Sequence, residues 1–224
     1  MFPEKRISFD IDLPHSILLL HELFISAGYE LYLVGGAVRD AYLKIQPKDF
    51  DLVTNALPDV VEELIINIGF TSIATGKAFG VINVFTPDGE YEIATMRKES
   101  YDADVSVRRP TSVEFTDIST DIFRRDLIIN ALYYDISKNE IVDLVDGIND
   151  LENSIIRTVG NADDRFKEDK LRKIRAVRFA ARFNSDLSDD IITSFLNDSS
   201  LLGISSERIH DEFIKGIKFI YKFY

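Results

Sequence analysis

Apolar and polar residues alternate along the chain with two different periods, and these periods divide it into a mixed part and a helical part. In the mixed part, helical spacing is found at about 14–27, 37–44, 58–68 and 120–131. Strand-like runs are found at about 29–34, 50–53, 81–85, 91–96, 132–136 and 141–144. After about residue 157 strand signals cease, and helices are predicted near 161–167, 168–184, 188–197 and 205–222. The pattern predicts an α+β unit followed by an all-helical unit, packed directly together without a long linker.

Composition removes several classes of protein. The 224 residues are 46% hydrophobic and 29% charged, which is enough apolar material for a sizeable core, and there is no cysteine. Disorder, disulfide scaffolds, thiol nucleophiles and cysteine-ligated zinc are therefore excluded. No apolar run approaches the ~18 residues that span a bilayer, and the first residues lack a secretory signal. We expect a cytoplasmic protein that does not contact membranes.

The charge distribution is uneven. The formal net charge is -12, which argues against indiscriminate adhesion to nucleic acid. Between residues 165 and 182, however, eight basic residues face only two acidic ones, a local balance of +6. The basic residues are Arg165, Lys167, Lys170, Arg172, Lys173, Arg175, Arg178 and Arg182. This basic strip is a candidate anion-binding surface.

A pair of carboxylates follows a glycine turn. Asp49 and Asp51 stand two apart, and on a strand both would lie on the same side, where they could hold Mg²⁺. Gly35 and Gly36 separate a predicted strand from a predicted helix, so the backbone can approach a phosphate closely, and Arg39 could add charge. Each feature alone also fits an ordinary strand end or turn. Together they suit a nucleoside triphosphate with its metal.

Two further groups extend this candidate site. Glu92 would become a third carboxylate if its strand neighbours that of Asp49 and Asp51; otherwise it is a solvent-facing residue. Arg124, Arg125, Asp126 and Asn130 fall within two predicted helical turns. Adjacent arginines cannot share one helix face, so one could hold phosphate or ribose while the other pairs with a carboxylate. A surface ion-pair helix is the alternative.

The helix predicted at 168–184 is apolar on most sides, so its charged residues need partners or a ligand. Asp169, Arg172 and Arg175 are successive i,i+3 neighbours on one side. Asp169 could simply pair with Arg172. Alternatively, the two present an acceptor beside a donor to a nucleobase, which matches cytosine and adenine and mismatches guanine and uracil. Tyr101 could stack on a base.

Six motifs in this order resemble the class II tRNA nucleotidyltransferases (CCA-adding enzymes) and the bacterial poly(A) polymerases. They are LVGGAVRD, KDFDL, YEIATMRKESY with RRPTSVEF, RRDLIINAL, EDKLRKIRAVRFAAR and SSERIHDEFIKGI. The resemblance implies a polymerase-beta-like nucleotidyltransferase head at 1–157, with a mixed β-sheet flanked by helices. An all-helical, nucleobase-binding neck would follow at 158–224.

The resemblance also implies residue roles. Asp49 and Asp51 would be the catalytic metal carboxylates, and Gly35, Gly36 and Arg39 the triphosphate grip. Further nucleotide contacts would come from Arg124 and Asp126 at the ribose and from Asp169 and Arg172 at the base. We also expect Glu92 in catalysis, and Asn130, Arg175 and Arg178 in nucleotide binding. Glu207 and Arg208 match an element of the neck helices, whereas Phe79 and Val81 stand where the family often shows histidine and threonine.

The expected activity is template-independent addition of C and A residues to the 3′ end of tRNA from CTP and ATP, with Mg²⁺. The alternatives are a bacterial poly(A) polymerase, a nucleotidyltransferase acting on a small molecule or protein, and a nucleotide- or RNA-binding module without turnover. The family's body and tail domains are absent from these 224 residues. This leaves open a fragment, a minimal enzyme that relies on a homo-oligomer or partner chain for its RNA clamp, and an inactive protein.

Overall fold

The computed structural model describes residues 4–100 and 112–220. One eight-stranded sheet forms its centre, with the strand order β1-β10-β9-β2-β3-β6-β5-β4. These strands are β1 (Lys5–Ser8), β2 (Leu31–Val34), β3 (Asp51–Thr54), β4 (Thr71–Gly76), β5 (Val81–Thr86), β6 (Gly89–Thr95), β9 (Tyr133–Asp135) and β10 (Glu140–Asp143). The neighbours β3 and β6 are parallel, and the other neighbouring pairs are antiparallel. The sheet is therefore mixed, as predicted.

Two short pairs of strands lie outside this sheet. One is the antiparallel pair β7 (Arg97–Ser100) and β8 (Ser112–Phe115). The other is the parallel pair β11 (Ile155–Ile156) and β12 (Asp186–Leu187). The second pair was not predicted, and it places a two-residue strand inside the part of the chain that we expected to be wholly helical.

Helices cover both sides of the sheet and make up most of the described chain after residue 157. They are α1 (His15–Ser26), α2 (Gly36–Tyr42), α3 (Pro58–Asn67), α4 (Ile118–Asp121), α5 (Gly147–Glu152), α6 (Ala162–Glu168), α7 (Leu171–Phe183), α8 (Asp189–Asn197) and α9 (Ser206–Ile220). Pro14 precedes α1, and Gly28, with a φ of 84°, follows it, as the sequence predicts. None of the helices in the described ranges is long and apolar enough to cross a membrane.

Three buried clusters hold these layers together. The first packs α1, α2 and α3 against one side of the sheet through residues such as Ile17, Leu33 and Ile82. The second covers the other side, around Tyr133 and Met96. The third joins the two parts of the chain, because Leu127, Ile129 and Ile156 pack with residues of α6, α7 and α8. The direct packing expected between the two parts is thus an apolar interface.

Two predicted helices need correction. The helix predicted at 120–131 is wrong: α4 ends at Asp121, and two 3-10 turns follow, at Ile122–Arg124 and Ile128–Asn130. Between them Arg125 is extended, with φ -73° and ψ 155°. The helix predicted at 168–184 begins only at Leu171. Asp169 is extended, with φ -149° and ψ 108°, and lies before the first turn of the helix. Its carboxylate accepts the Leu171 N–H at 3.0 Å and so caps one of the free backbone donors of that turn.

Candidate active site

A polar cleft of about 600 Å³ lies between the end of β2, the start of β3 and helices α7 and α9. It is lined by Gly35, Gly36, Arg39, Asp49, Asp51, Glu99, Arg124, Arg125, Asp126, Asn130, Arg172, Arg175, Phe179 and Lys215. Six of these side chains are cationic and four are anionic. Although the whole chain has a net charge of -12, the cleft has an excess of positive charge, which favours an anionic ligand. The carboxylates in the cleft suit a cation bound together with that ligand.

Asp49 and Asp51 open into this cleft beside the glycine turn. Asp51 begins β3 and pairs in register with Val34, the last residue of β2 before Gly35. Asp49 precedes the strand, so strand alternation does not direct its side chain, yet it lines the same cleft. Desolvation by the surrounding protein and the neighbouring Asp49 raise the pKa of Asp51, although the residue is exposed to the cleft and Arg125 opposes this shift. Over residues 4–100 and 112–220, neither carboxylate takes part in a side-chain hydrogen bond or ion pair.

Glu92 lies next to this pair on the neighbouring strand. The parallel register of β3 and β6 sets Glu92 opposite Asp51, as the sequence predicted for neighbouring strands. Desolvation by the surrounding protein and the charge of Asp51 raise the pKa of Glu92, although the residue is exposed. Glu92 is not one of the residues that line the cleft. Within the described part of the chain, no three His, Asp or Glu side chains form a group that could hold a metal ion. The three carboxylates therefore do not form a closed metal cage.

The glycine turn brings the backbone to the edge of the cleft. Gly35 has a φ of 74° and a ψ of -125°, a conformation that side chains with a Cβ rarely adopt. A Cβ at this position would lie 3.5 Å from the carbonyl oxygen of Asn130. The turn therefore requires glycine and keeps this side of the cleft free of side chains.

Arg39, which was predicted to bind the triphosphate, is buried and hydrogen-bonded to other side chains. It is only 3% exposed, its Nε donates to Asp40 at 2.8 Å, and its Nη1 donates to Asn130. The guanidinium lies 5.1 Å from the ring centre of Phe179 and 4.8 Å from that of Phe183. Burial lowers the pKa of Arg39 to about 10. Arg39 and Asn130 line the cleft, but they bind each other.

Arg124 and Arg125 converge on one carboxylate that the sequence analysis missed. Asp121 is fully buried and accepts Arg124 Nε at 2.7 Å and Arg125 Nη2 at 2.9 Å. It also accepts the Tyr133 hydroxyl at 2.8 Å and the Arg97 backbone N–H at 3.0 Å. Burial alone would raise the pKa of Asp121, but the two arginines hold it at about 2. The spacing Asp-x-x-Arg-Arg could have indicated this cluster from the sequence.

Asp126 joins the sheet side of the cleft to α7. It accepts Arg175 Nε at 2.6 Å, and this charge lowers the pKa of Asp126 against the opposing effect of burial. Arg175 also lies 3.7 Å from Glu212 of α9. Glu212 is bound more closely by Arg178, at 2.6 Å. Arg178 lines a separate apolar groove between α7, α8 and α9 rather than the cleft, so the structure does not bring it to the other predicted nucleotide contacts.

Asp169 and Arg172 neither pair with each other nor face the cleft together. Arg172 lines the cleft and binds Glu168, and it donates to the Arg124 carbonyl at 3.1 Å. Asp169 is not among the lining residues, and Arg208 of α9 holds its carboxylate at 2.6 and 3.3 Å. The shared helix side assumed for this pair is wrong because Asp169 lies before the start of α7.

Other lining residues were not predicted. Glu99, Phe179 and Lys215 enter the cleft from β7, α7 and α9, and no local motif marks them. Lys215 lies 3.4 Å from Glu212. Tyr101, predicted to stack on a base, is outside the described residues.

The cleft combines a backbone turn free of side chains, two carboxylates that have no hydrogen-bond or ion-pair partner among the described residues, and several guanidinium groups held by carboxylates. Arginine groups recognise phosphate oxygens, and two carboxylates suit a hard divalent cation that keeps water and phosphate ligands. The fold and cleft are those of a nucleotidyltransferase head followed by a helical neck.

Comparison with known proteins agrees with this class. Residues 31–157 match the family described as the poly A polymerase head domain, and the chain belongs to this family. The resemblance read from the six motifs is therefore confirmed, and so is the fold class.

The chain is similar to CCA-adding enzymes in sequence and structure. It is 42% identical over 191 residues to the CCA-adding enzyme of Ligilactobacillus salivarius (strain UCC118), a match that covers 84% of this chain and 46% of that protein. A crystal structure of the Bacillus stearothermophilus CCA-adding enzyme in complex with CTP matches with a TM-score of 0.78 and 34% identity, covering 89% of this chain and 47% of that one. A tRNA nucleotidyltransferase complexed with a primer tRNA and an incoming ATP analog matches with a TM-score of 0.69 and 26% identity, covering 87% and 54%. The chain thus spans about half the length of the relatives it matches.

Proposed function

We propose that this chain carries the nucleotide-transfer site of a CCA-adding enzyme, which adds C and A residues to the 3′ end of tRNA from CTP and ATP. The observation that carries the proposal is the cleft itself. Asp49, Asp51, the Gly35–Gly36 turn and the arginines held by Asp121 all line one space. The similarity to proteins bound to CTP, and to an ATP analog with a primer tRNA, supports the choice of substrates.

Mg²⁺ is the metal that suits this site. Asp49 and Asp51 are two oxygen donors without protein partners over residues 4–100 and 112–220, and each would gain a counter-charge from the ion. Mg²⁺ usually takes only one or two protein carboxylates and completes its shell with water and substrate phosphates. When bound, it would promote ionisation of the RNA 3′-hydroxyl and neutralise the leaving pyrophosphate.

The other residues of the cleft would bind the triphosphate, the sugar and the base. The Gly35–Gly36 turn lets the triphosphate approach the backbone, and Arg124 and Arg125 offset its negative charge. Arg172 and Arg175 present donors from α7 on the neck side, toward the sugar or base. The terminal 3′-oxygen then attacks the α-phosphorus, the bond to the β-phosphate oxygen breaks, and pyrophosphate leaves. The positioned cations act where negative charge develops during this step.

The test is incorporation of labelled CTP and ATP into a tRNA that lacks its terminal CCA, in the presence of Mg²⁺. We expect the unmodified chain to extend the tRNA and Asp51→Asn to lose at least about a hundredfold in rate, as expected for removal of a metal ligand. Asp59→Asn is the matched control, because Asp59 is an exposed carboxylate of α3 outside the cleft. Equal incorporation by Asp51→Asn and Asp59→Asn would contradict the metal assignment.

A bacterial poly(A) polymerase is the second candidate, and the description of the matching family supports it. Addition of ATP alone, to any RNA 3′ end, would favour this activity over CCA addition. For the CCA activity we expect Arg172→Ala to reduce the preference for CTP and ATP over UTP and GTP. Arg178→Ala is its control because Arg178 does not line the cleft. An unchanged preference in Arg172→Ala would contradict base reading by this arginine.

We assign the head to residues 1–157 and the nucleobase-binding neck to 158–224, and we place the protein in the cytoplasm, where tRNA is processed. Because the chain spans about half the length of its relatives, a further segment, a partner chain or a second copy would grip the rest of the tRNA. Tight nucleotide binding without incorporation would instead indicate a binding module without turnover.

A further inference from the structure

Asp121 is a carboxylate whose two oxygens accept four hydrogen bonds beside the cleft. Its partners Arg124 and Arg125 line the cleft, although Asp121 itself does not. An ionised carboxylate offers about four acceptor positions. Those of Asp121 receive Arg124 Nε and the Arg97 N–H on Oδ1, and Arg125 Nη2 and the Tyr133 hydroxyl on Oδ2. The side chain is fully buried. No acceptor position remains for a ligand, so Asp121 can influence the cleft only through the groups that it holds.

The groups it holds are the two consecutive arginines of the cleft. Arg124 and Arg125 are the i+3 and i+4 neighbours of Asp121, positions from which both side chains can reach one carboxylate. The 3-10 turn ends at Arg124 and Arg125 is extended, and both guanidinium groups bind Asp121 in this arrangement. Asp121 takes one nitrogen of each group, at 2.7 and 2.9 Å. The other nitrogens of these five-donor forks are left to serve the cleft or other neighbours.

Tyr133 completes the fixation. Its hydroxyl donates to Asp121 and accepts Arg125 Nε at 2.9 Å. The Arg125 guanidinium also lies 4.9 Å from the centre of the Tyr133 ring. Arg125 is thus held from two sides, and its charge acts on Asp51 across the cleft. A cation so fixed needs no reorganisation when an anion arrives.

We propose that Asp121 is a positioning residue for the anionic part of the substrate: it fixes the guanidinium groups of Arg124 and Arg125 so that they bind the triphosphate of the incoming nucleotide. The proposal rests on the proposed function only for the identity of that anion. It predicts that Asp121 affects the binding of ATP much more than the binding of adenosine, which lacks the phosphates.

The test compares two fully buried aspartates. Asp143 is also 0% exposed, but its carboxylate accepts the backbone N–H groups of Val145, Gly147 and Ile148 rather than arginines of the cleft. Dissociation constants for ATP and for adenosine would be measured by calorimetry with Mg²⁺ on the full chain. We expect Asp121→Asn to weaken ATP binding about tenfold or more and adenosine binding less than about twofold, as for loss of charge-assisted hydrogen bonds. Asp143→Asn should change both by less than about twofold.

Tyr133→Phe keeps the test decisive if Asp121→Asn does not fold, because it removes one hydroxyl and no charge. We expect it to weaken ATP binding about threefold and to leave adenosine binding unchanged, since the hydroxyl's hydrogen bonds to Asp121 and from Arg125 are both lost. If Tyr133→Phe and any folded Asp121→Asn match Asp143→Asn in both constants, Asp121 has only a structural role and the proposal is overturned. Because binding is read separately from incorporation, an unmodified chain that binds ATP but extends no tRNA would contradict the proposed function and still test this inference.

Discussion

Leu127→Ala and Ile82→Ala together test whether the helical part of the chain folds independently of the sheet. Leu127 is fully buried in the cluster that joins both parts, where it packs with residues such as Phe166 and Ala176. Ile82 is equally buried in the cluster between the sheet and α1 to α3, whose members all precede residue 158. The two substitutions therefore remove similar volumes from cores at different distances from α7.

The magnitude follows from the size of the cavities. Truncating a buried leucine or isoleucine to alanine costs about 2–5 kcal/mol. With a urea dependence of about 2–3 kcal/mol per molar, either change should lower the unfolding midpoint by about 1–2 M. Three of the eight buried residues of the joining cluster, Leu127, Ile129 and Ile156, precede residue 158. We therefore expect α6 to α8 to lose their core when the sheet unfolds, and both substitutions to destabilise the whole molecule.

The assay is hydrogen exchange followed by mass spectrometry on peptides from β9 and from α7. In one cooperative unit, Ile82→Ala lowers the protection of both peptides by the same free energy. Leu196→Ala is the control, because Leu196 is 83% exposed and its loss should cost less than about 0.5 kcal/mol. If Ile82→Ala lowers protection in β9 and leaves α7 unchanged, the two parts fold separately and the reasoning is refuted.

Three further predictions concern single groups. Asp121 has a pKa of about 2 in the folded protein against an ordinary value of 3.8. At 1.36 kcal/mol per pKa unit, its ionisation contributes about 2 kcal/mol to the free energy of unfolding. This contribution is present above pH 4 and is lost as the pH falls toward 2. The difference in unfolding free energy between the unmodified chain and Asp121→Asn should therefore shrink below pH 4, and a difference independent of pH would contradict this. Gly35→Ala should cost about 1–3 kcal/mol in thermal unfolding and weaken ATP binding, because the backbone conformation is strained for a side chain; Gly28→Ala, also at positive φ but away from the cleft, should leave ATP binding unchanged. Arg208→Ala should lower the free energy of unfolding more than Arg208→Lys does, because Asp169 loses both hydrogen bonds from its bidentate partner; equal stability of the two variants in urea unfolding would show that this pair does not help to hold α9 against the start of α7.

Local patterns predicted six of the eight strands of the central sheet because these are bounded by their own signals, whereas β1 and β4 were not predicted. Pro14 and Gly28 bracket α1, and Pro87 and Asp88 join β5 to β6, which begins at Gly89; these residues suit a hairpin. The strands of Asp51 and Glu92 were both predicted, but hydrophobic alternation does not show which strands are neighbours, so their pairing was left open by the sequence. Local periodicity is sufficient where one face of an element is buried and the other is polar.

The predictions failed where long-range contacts outweigh helix periodicity. The run around Arg124 and Arg125 has helical spacing, but Leu127 and Ile129 pack into the cluster that joins the two parts of the chain, and the backbone forms two 3-10 turns with Arg125 extended between them. Asp169 and Arg172 have i,i+3 spacing, but Arg208 and Glu168 bind them separately. Arg208, the partner of Asp169, lies 39 residues away, so no local window of the sequence shows this ion pair.

Helix α7 presents different chemistry on two of its sides. Arg172, Arg175 and Phe179 line the polar cleft, whereas Ile174, Val177 and Ala181 line the apolar groove of about 470 Å³ beside α9. One inserted or deleted residue would rotate everything beyond it by about 100° and turn both surfaces away from the groups that they now face. Among related chains, the number of residues between Asp169 and Phe183 should therefore vary less than their identities do.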